Sequence, residues 1–353
     1  MPKNNKTKVC VAMSGGVDSS ATAYMLKKEG YDVFGITMDL LDTPYKPELS
    51  SIQDAKLVAD KIGIPHHFLD LRKDFYQYVV KYFSDSYLEG LTPSPCIMCN
   101  REIKLGILAR KAIDLGADLI VTGHYADLRE TPNGIELHRA KDLTRDQSYF
   151  LFAIEKDILQ RLRCPLANYT KEQTRAIAAE IGLDIHKKSD SQDICFVSEG
   201  KYVELINKIN PNLVLKQGDI VNKEGKVLGK HNGIINYTIG QRKGLGIGGG
   251  DPLYVCGIDA KNNQVIVGDK DDLFKNKLLI NEINWLGEDK PKEINLKVKL
   301  RSRQNLIDAK VTFLDNNMAE VSLKEPFAGI APGQGCCFYQ DTHVLGGGFI
   351  IKD

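Results

Sequence analysis

Val9-Cys10-Val11-Ala12-Met13-Ser14-Gly15-Gly16-Val17-Asp18-Ser19-Ser20 carries five apolar or small residues, then two glycines inside a hydroxyl-rich run. The apolar stretch reads as a buried strand and Ser19 to Glu29 as a helix, so the glycines form a strand-to-helix turn. Such a turn gathers backbone N–H groups, two hydroxyls and a helix N-terminus on one point, and paired glycines admit an anion without Cβ obstruction. That is a phosphate site. Asp18 is wrong for a bare phosphate but suits Mg²⁺ bridging a pyrophosphate. The plainer alternative is a Ser-capped Gly-Gly turn such as any βα connection uses. Neither the Gly-Lys-Ser/Thr ending of a Walker loop nor Gly-x-Gly-x-x-Gly is present here, which disfavours γ-phosphoryl transfer.

Outward from this loop, short apolar runs alternate with amphipathic ones. Val33 to Met38, His67 to Leu71 and Leu119 to Thr122 read as strands, and Ile52 to Ile62, Phe75 to Leu88 and Glu102 to Leu115 as helices, which predicts a mostly parallel, Rossmann-like sheet. Lys171 to Ile181 follows Thr170 with Gln173 three residues on, the pattern of a capping box. After Lys201 the texture changes to turn residues between short strands such as Leu253 to Ile258, Gln264 to Val267, Leu296 to Ser302 and Ala319 to Leu323. The fold class expected is α/β: a parallel-sheet domain over 1–200, a small β domain over 201–270 and a C-terminal β-barrel over 271–353, with the break at Gly268 to Asn276.

The chain has 353 residues, two or three domains at ~150 residues each. Apolar residues at 42% and charged residues at 26% exclude a disordered or collagenous chain. Lys+Arg 47 against Asp+Glu 46 leaves a net charge of +1, so a nucleic-acid partner must be met by a local patch. No stretch has the ~18 apolar residues of a membrane span, and Val9 to Met13 is too short for a signal peptide's apolar region. Eight cysteines without a secretory signal point to a reducing, cytoplasmic setting, where clustered thiols serve catalysis or metal binding.

Cys96-Ile97-Met98-Cys99 follows two prolines, ahead of a helix expected to start near Asn100. Thiols at a helix N-terminus have lowered pKa values and are better nucleophiles. Cys195 ends the polar run Ser189 to Ile194 and reads as displayed on the surface. Zinc is the alternative use, though no second Cys-x-x-Cys supplies four ligands. Cys10, Cys164 and Cys256 read as packing residues, and adjacent Cys336 and Cys337 would face opposite sides of a strand. His66, His67, His138, His186, His231 and His343 show no ligand spacing.

Ser14 to Ser20 resembles the PP-loop of ATP pyrophosphatases, which adenylate an oxygen and release pyrophosphate. Together with Thr92 to Asn100, Thr122-Gly123-His124-Tyr125, Arg145 to Leu151, Ser191 to Phe196 and Tyr237 to Gly246, it makes the chain similar to the tRNA-specific 2-thiouridylases (the MnmA/TrmU family) over essentially its whole length. The resemblance implies an adenine-nucleotide alpha hydrolase-like domain followed by two small β-rich domains. It also implies ATP on Ala12, Met13, Ser14, Gly15, Gly16, Val17, Asp18 and Ser19, with Met38 and Gly123 on the adenine side. The substrate implied is a tRNA with a wobble uridine, of the Lys, Glu and Gln type, whose 2-oxygen is adenylated and replaced by sulfur. Cys195 would carry a persulfide from a sulfur-relay protein or cysteine desulfurase, and Cys99 would resolve it through a disulfide. Neither a membrane nor DNA is an implied partner. One position departs: the family's best-known form has an acid/base Asp where this chain has Cys96. Cys96, Cys99 and Cys195 also form a thiolate set for three irons of a [4Fe–4S] cluster, so persulfide relay and cluster delivery both stay open.

For the tRNA the resemblance implies contacts at Ser94, Pro95, Cys96, Arg145, Asp146, Gln147, Arg301 and Ser302. Lys297, Lys299, Arg301 and Arg303 alternate with Val298 and Leu300, which predicts a cationic strand face for RNA or a lysine-guarded sheet edge. Gln241, Arg242 and Lys243 add backbone-contact candidates in a Gly-rich loop. The rivals are an amide-forming PP-loop enzyme with spectator cysteines, and a tRNA-binding module without ATP chemistry.

Overall fold

The computed structural model describes residues 7–41, 50–187, 194–197, 201–248 and 251–352, so Ser189 to Asp193 of the expected polar run lie outside it. Four parallel strands come first: β1 (Lys8–Ala12), β2 (Asp32–Asp39), β3 (His66–Asp70) and β4 (Leu119–Val121). A hairpin of β5 (Ala126–Thr131) and β6 (Gly134–Arg139) then leaves the sheet before the short β7 (Leu162–Arg163) returns to it. The order is β3-β2-β1-β4-β7, with β1 in the middle. Period-two alternation divides β1 between two cores: Val9 and Val11 pack with Ala23, Leu26 and Val58, whereas Cys10 packs with Phe34, Ile36 and Ile120 on the other face. Both faces are covered, which is why β1 and β2 read as continuous apolar runs. The expected Rossmann-like sheet is present.

Helix α1 (Val17–Lys28) starts at Gly16, and α2 (Ser50–Ile62) follows β2. The capping box exists as read: Thr170 accepts from the Gln173 backbone and the Gln173 side chain accepts from the Thr170 N–H, opening the helix Lys171–Ala179. Two helical stretches widen to π geometry, Tyr76–Lys81 and Cys99–Ile107, a distortion that clusters at functional sites.

Beyond residue 200 the texture reading missed one element, the amphipathic helix Tyr202–Ile209, whose Leu205 and Ile206 pack beside Phe83 and Tyr87. The β content then begins. β8 (Gly218–Val221), β9 (Val227–His231), β10 (Tyr254–Asp259) and β11 (Gln264–Gly268) form a four-stranded sheet in the order β10-β11-β8-β9. β12 (Phe274–Trp285), β13 (Glu293–Lys299), β14 (Ile307–Phe313), β15 (Ala319–Ala328), β16 (Gly335–Gln340) and β17 (His343–Ile350) form a six-stranded barrel that closes where β12 pairs with β17. Gly346 permits that closure, because a Cβ there would lie 2.0 Å from the Asn284 carbonyl oxygen.

The barrel is fused to the parallel sheet on one side. The β5–β6 hairpin extends the barrel sheet beside β17, and Cys337, Tyr339, Val344 and Phe349 share a core with Phe34, Ile36, Ile120 and Phe152. Cys336 faces the barrel interior instead, so the adjacent thiols do point to opposite sides.

Candidate active site

The loop after β1 is held from within. The Ser14 N–H donates to Ser19 Oγ at 3.1 Å, the Ser19 hydroxyl reaches the Gly16 carbonyl at 3.3 Å, and Thr37 Oγ1 donates to the Met13 carbonyl at 2.8 Å. Gly15 has φ 71°, in the region that favours glycine. Met13, Val17 and Ser19 are buried, while Ser14 faces solvent. Gly123, at the end of β4, backs onto the loop so closely that a Cβ would lie 2.9 Å from the Asp18 carbonyl carbon and the Ser19 nitrogen. Met38 is only partly buried at the end of β2.

Asp18 has partners that the sequence reading missed. Lys171, buried at the start of its helix, donates to both carboxylate oxygens at 2.7 and 2.9 Å, and the Tyr125 hydroxyl donates to one of them at 3.0 Å. An ammonium therefore already stands at the mouth of the loop.

The cysteine segment differs from expectation. The helix begins at Pro95, not near Asn100, because Pro fits the first helical position; Cys96 thus lies in the first turn and Cys99 enters the π segment. The thiols are not acidic either. Crowding by surrounding protein raises all three, Cys99 to about 12, even though Cys96 and Cys195 keep part of their surface open, and it outweighs the helix terminus. Cys96 and Cys195 are exposed and Cys99 is buried, and all eight cysteines are free. The opposing influence is Lys104, half-buried on the π segment, which lowers Cys96, Cys99 and Cys195 alike. Cys195 and Cys96 in turn raise Cys99, so three thiols from distant parts of the chain share one field. Their sulfurs do not all lie within 4.8 Å of one another, so they form no compact single-ion site.

Lys104 also reaches His124, whose pKa burial and that charge hold down at about 3, leaving a neutral imidazole 2.8 Å from Thr122 Oγ1. Gly123 touches the phosphate loop and its neighbour His124 shares Lys104 with the thiols. Two consecutive residues therefore join the two halves of the site. Nothing in the linear sequence marked Lys104, because its neighbours meet only in the fold.

The barrel fixes the approach to Cys96. The Thr92 N–H donates to the Pro332 carbonyl at 2.7 Å, and Gln334 Nε2 donates to the carbonyls of Thr92 at 2.8 Å and Pro93 at 3.1 Å. Asn100 donates to the Phe150 carbonyl at 3.2 Å while its own carbonyl oxygen is buried without a partner.

Several of the residues expected to contact RNA are buried or bonded within the protein. Ser94 and Pro95 are buried. Asp146 has a fully buried side chain that accepts from Arg139 Nε at 3.1 Å and from the Ala140 and Ser148 backbone N–H groups at 3.2 Å each. Gln147 binds the backbone of Tyr125. The Arg145 to Leu151 stretch is therefore mainly a seam, tied to the barrel by Ser148 on Tyr339 and by Tyr149 on the Gly335 carbonyl, with Arg145 left exposed. The four-cation face does not form: β13 ends at Lys299, which is 3% exposed and 3.9 Å from Asp146, Lys297 pairs with Asp308 and Arg301 donates to the Gly329 carbonyl. Arg242, Lys243, Arg301 and Arg303 remain exposed, and Ser302 is half-buried.

Because Asp146 holds buried Lys299 and Arg139, Asp146→Ala is expected to destabilise the fold by about 3–5 kcal/mol through the charges left unpaired. Urea unfolding measures this; a substrate-contact role would instead leave the midpoint unchanged and weaken tRNA binding alone.

Three family models cover most of the chain: a tRNA methyl transferase HUP domain over residues 7–199, a tRNA methyl transferase PRC-barrel domain over 207–269 and an aminomethyltransferase β-barrel domain over 275–350. The tRNA-specific 2-thiouridylase MnmA of Rhodospirillum centenum is 46% identical over 361 residues, covering 98% of this chain and 92% of its own. The protein of the same name from Orientia tsutsugamushi is 48% identical over 354 residues, covering 98% and 96%. Among the described residues no helix is long and apolar enough to cross a membrane.

Proposed function

The chain belongs to the tRNA-specific 2-thiouridylase family, and from that premise we propose that ATP lies on Ala12 to Ser19 and that sulfur is delivered by Cys99 and Cys195. The enzyme is a tRNA-uridine 2-sulfurtransferase acting on tRNA. The observation that carries the residue assignment is the pair Gly123 and His124, one against the nucleotide loop and the other in the field of Lys104 and three thiols.

Adenylation comes first. The 2-oxygen of the wobble uridine, in tRNAs of the Lys, Glu and Gln type, attacks the α-phosphate and pyrophosphate leaves. The loop N–H groups and the N-terminus of α1 meet the phosphates, and Lys171 supplies a cation on turning from Asp18. Asp18 then has carboxylate oxygens available for Mg²⁺, which when bound would neutralise pyrophosphate charge. Met38 and Gly123 line the adenine side.

Sulfur transfer follows. A cysteine desulfurase or relay protein passes sulfane sulfur to Cys195. The outer sulfur attacks C2, the C2–O bond breaks and AMP departs. The Cys99 thiolate then attacks the Cys195 sulfur, leaving its partner sulfur on C2 and closing a Cys99–Cys195 disulfide that a thiol reductant reopens. Substrate contacts are assigned to Cys96, Arg145, Arg301 and Ser302, with Arg242 and Lys243 on the RNA backbone; Ser94, Pro95 and Gln147 shape the site from behind. A cytoplasmic setting supplies both tRNA and reductant.

The test is single-turnover reaction with ATP, Mg²⁺, a persulfide source and a uridine-34 transcript. Pyrophosphate release and thiolated nucleoside must both depend on the RNA; release driven by an amino acid without RNA would overturn the reading in favour of an amide-forming enzyme.

Lys104 has a pH signature. Its charge offsets burial at each thiol, so Lys104→Met raises the thiol pKa values and moves the rising limb of sulfur transfer to higher pH, with roughly tenfold less thiolate per unit of displacement. A profile of the transfer step that keeps its position contradicts this.

A second reading rests on Cys96 sharing the influence of the Lys104 charge with Cys99 and Cys195. These thiols suit a [4Fe–4S] cluster, which would offer an iron to exogenous sulfide. Under it, anaerobic reconstitution of Cys96→Ala loses the visible cluster absorption; full assembly in that variant excludes Cys96 as a required ligand.

A further inference from the structure

Where the β5–β6 hairpin meets the barrel, three side chains with metal-binding donors converge. Glu136 and His138 lie two apart on β6 and so share one face, and His343, opening β17, is the register partner of His138 across the two strands. Spacing along the sequence marks neither histidine as a ligand, because only non-local strand pairing brings them together. Glu136 Oε2 is 3.0 Å from His138 Nε2 and 4.0 Å from His343 Nδ1. One donor atom from each residue falls within 4.8 Å of the other two. The imidazoles stack at 4.9 Å between centroids with 22° between planes, so the donor edges sit side by side.

We propose that Glu136, His138 and His343 form a binding site for Zn²⁺ or a cation of its class, clipping the hairpin to the barrel. Two imidazole nitrogens and one carboxylate oxygen are a donor set zinc accepts, with water in the fourth position. The surroundings fit this use. The other ring nitrogen of His138 lies 3.0 Å from Thr342 Oγ1, which can accept its N–H and leave Nε2 as the lone-pair donor, the orienting partner that ligand histidines use. His138 is nearly buried while Glu136 and His343 keep side-chain exposures of 33% and 22%, which gives an ion and a water a way in. Arg129 is the nearby cation, and Asp127 holds it at 2.7 Å, leaving Glu136 to balance the metal. The site is separate from the thiols and belongs to the seam between the two ends of the chain.

The experiment uses the full chain with Cys96, Cys99 and Cys195 replaced by Ser, which removes the competing thiolates, and Zn²⁺ alone as probe. Native mass spectrometry and calorimetry are expected to show one Zn²⁺ per chain and a melting temperature that rises with Zn²⁺. Adding His343→Ala or the isosteric Glu136→Gln is expected to weaken binding by about a hundredfold or more, beyond the ~10–100-fold cost of losing an outer-shell partner. Glu136→Gln keeps the comparison valid if His343→Ala folds poorly. Absence of stoichiometric binding, or binding and melting unchanged in both variants, overturns the proposal.

Discussion

Cys195→Ser is expected to abolish tRNA thiolation while RNA-dependent pyrophosphate release continues, and Cys99→Ser to do the same by another route. A serine hydroxyl cannot hold sulfane sulfur, so the first variant has nothing to deliver. The second still loads Cys195 but cannot break the S–S bond between the Cys195 sulfur and the sulfur now bonded to C2, so the thiolated base is not released. Each loss is on the order of 10⁴-fold or more, the scale of removing a covalent nucleophile. Mass spectrometry separates them: loaded without RNA, the Cys99→Ser chain carries one extra sulfur that never appears on Cys195→Ser. Adenylation survives because the loop draws on no thiol; Ser14, Ser19, Thr37 and Lys171 hold it. Retention of more than about a tenth of the thiolation rate in Cys195→Ser would remove that residue from the carrier role. Burial explains why the site is quiet at rest: a Cys99 thiol pushed up to about 12 is protonated near neutral pH.

Gly123→Ala is the second large effect. Its Cβ would stand 2.9 Å from two backbone atoms of the phosphate loop, and backbone cannot rotate aside as a side chain does. The loop must shift, and misplacement approaching 1 Å costs about 10²-fold in rate. Pyrophosphate release is expected to fall by that order while the melting temperature changes little. Gly16 gives the contrast. Its φ of −89° suits any residue and a Cβ meets only Ser14 Oγ, at 3.4 Å. Gly16→Ala should therefore fold normally, and any fall in ATP use reports a phosphate meeting the methyl group. Unchanged ATP use in Gly16→Ala would return the loop to a plain capped turn.

What the sequence made legible was local. The strand Val9 to Met13, the glycine turn behind it and the Thr170 capping box each follow from spacing over a few residues, and all exist. What escaped depends on partners distant in the chain. Lys299 alternates with apolar residues as a surface lysine does, but it meets Asp146 across the seam. Asp146 sits in a motif and so resembles a contact residue, yet its carboxylate serves backbone N–H groups. The helix dipole argued for acidic cysteines; desolvation, which no spacing reveals, reversed the direction. Lys104 and His343 carry no motif at all.

The common core of Phe34, Ile120, Phe152, Tyr339 and Phe349 bears on protein engineering. Chimeras that graft another relative's C-terminal half onto this N-terminal half would have to match buried volumes on both sides of the graft, and a fragment ending after β7 would bare an oily face and clump. Substrate preference in this enzyme is better retuned by exchanging individual exposed loops than by trading whole halves.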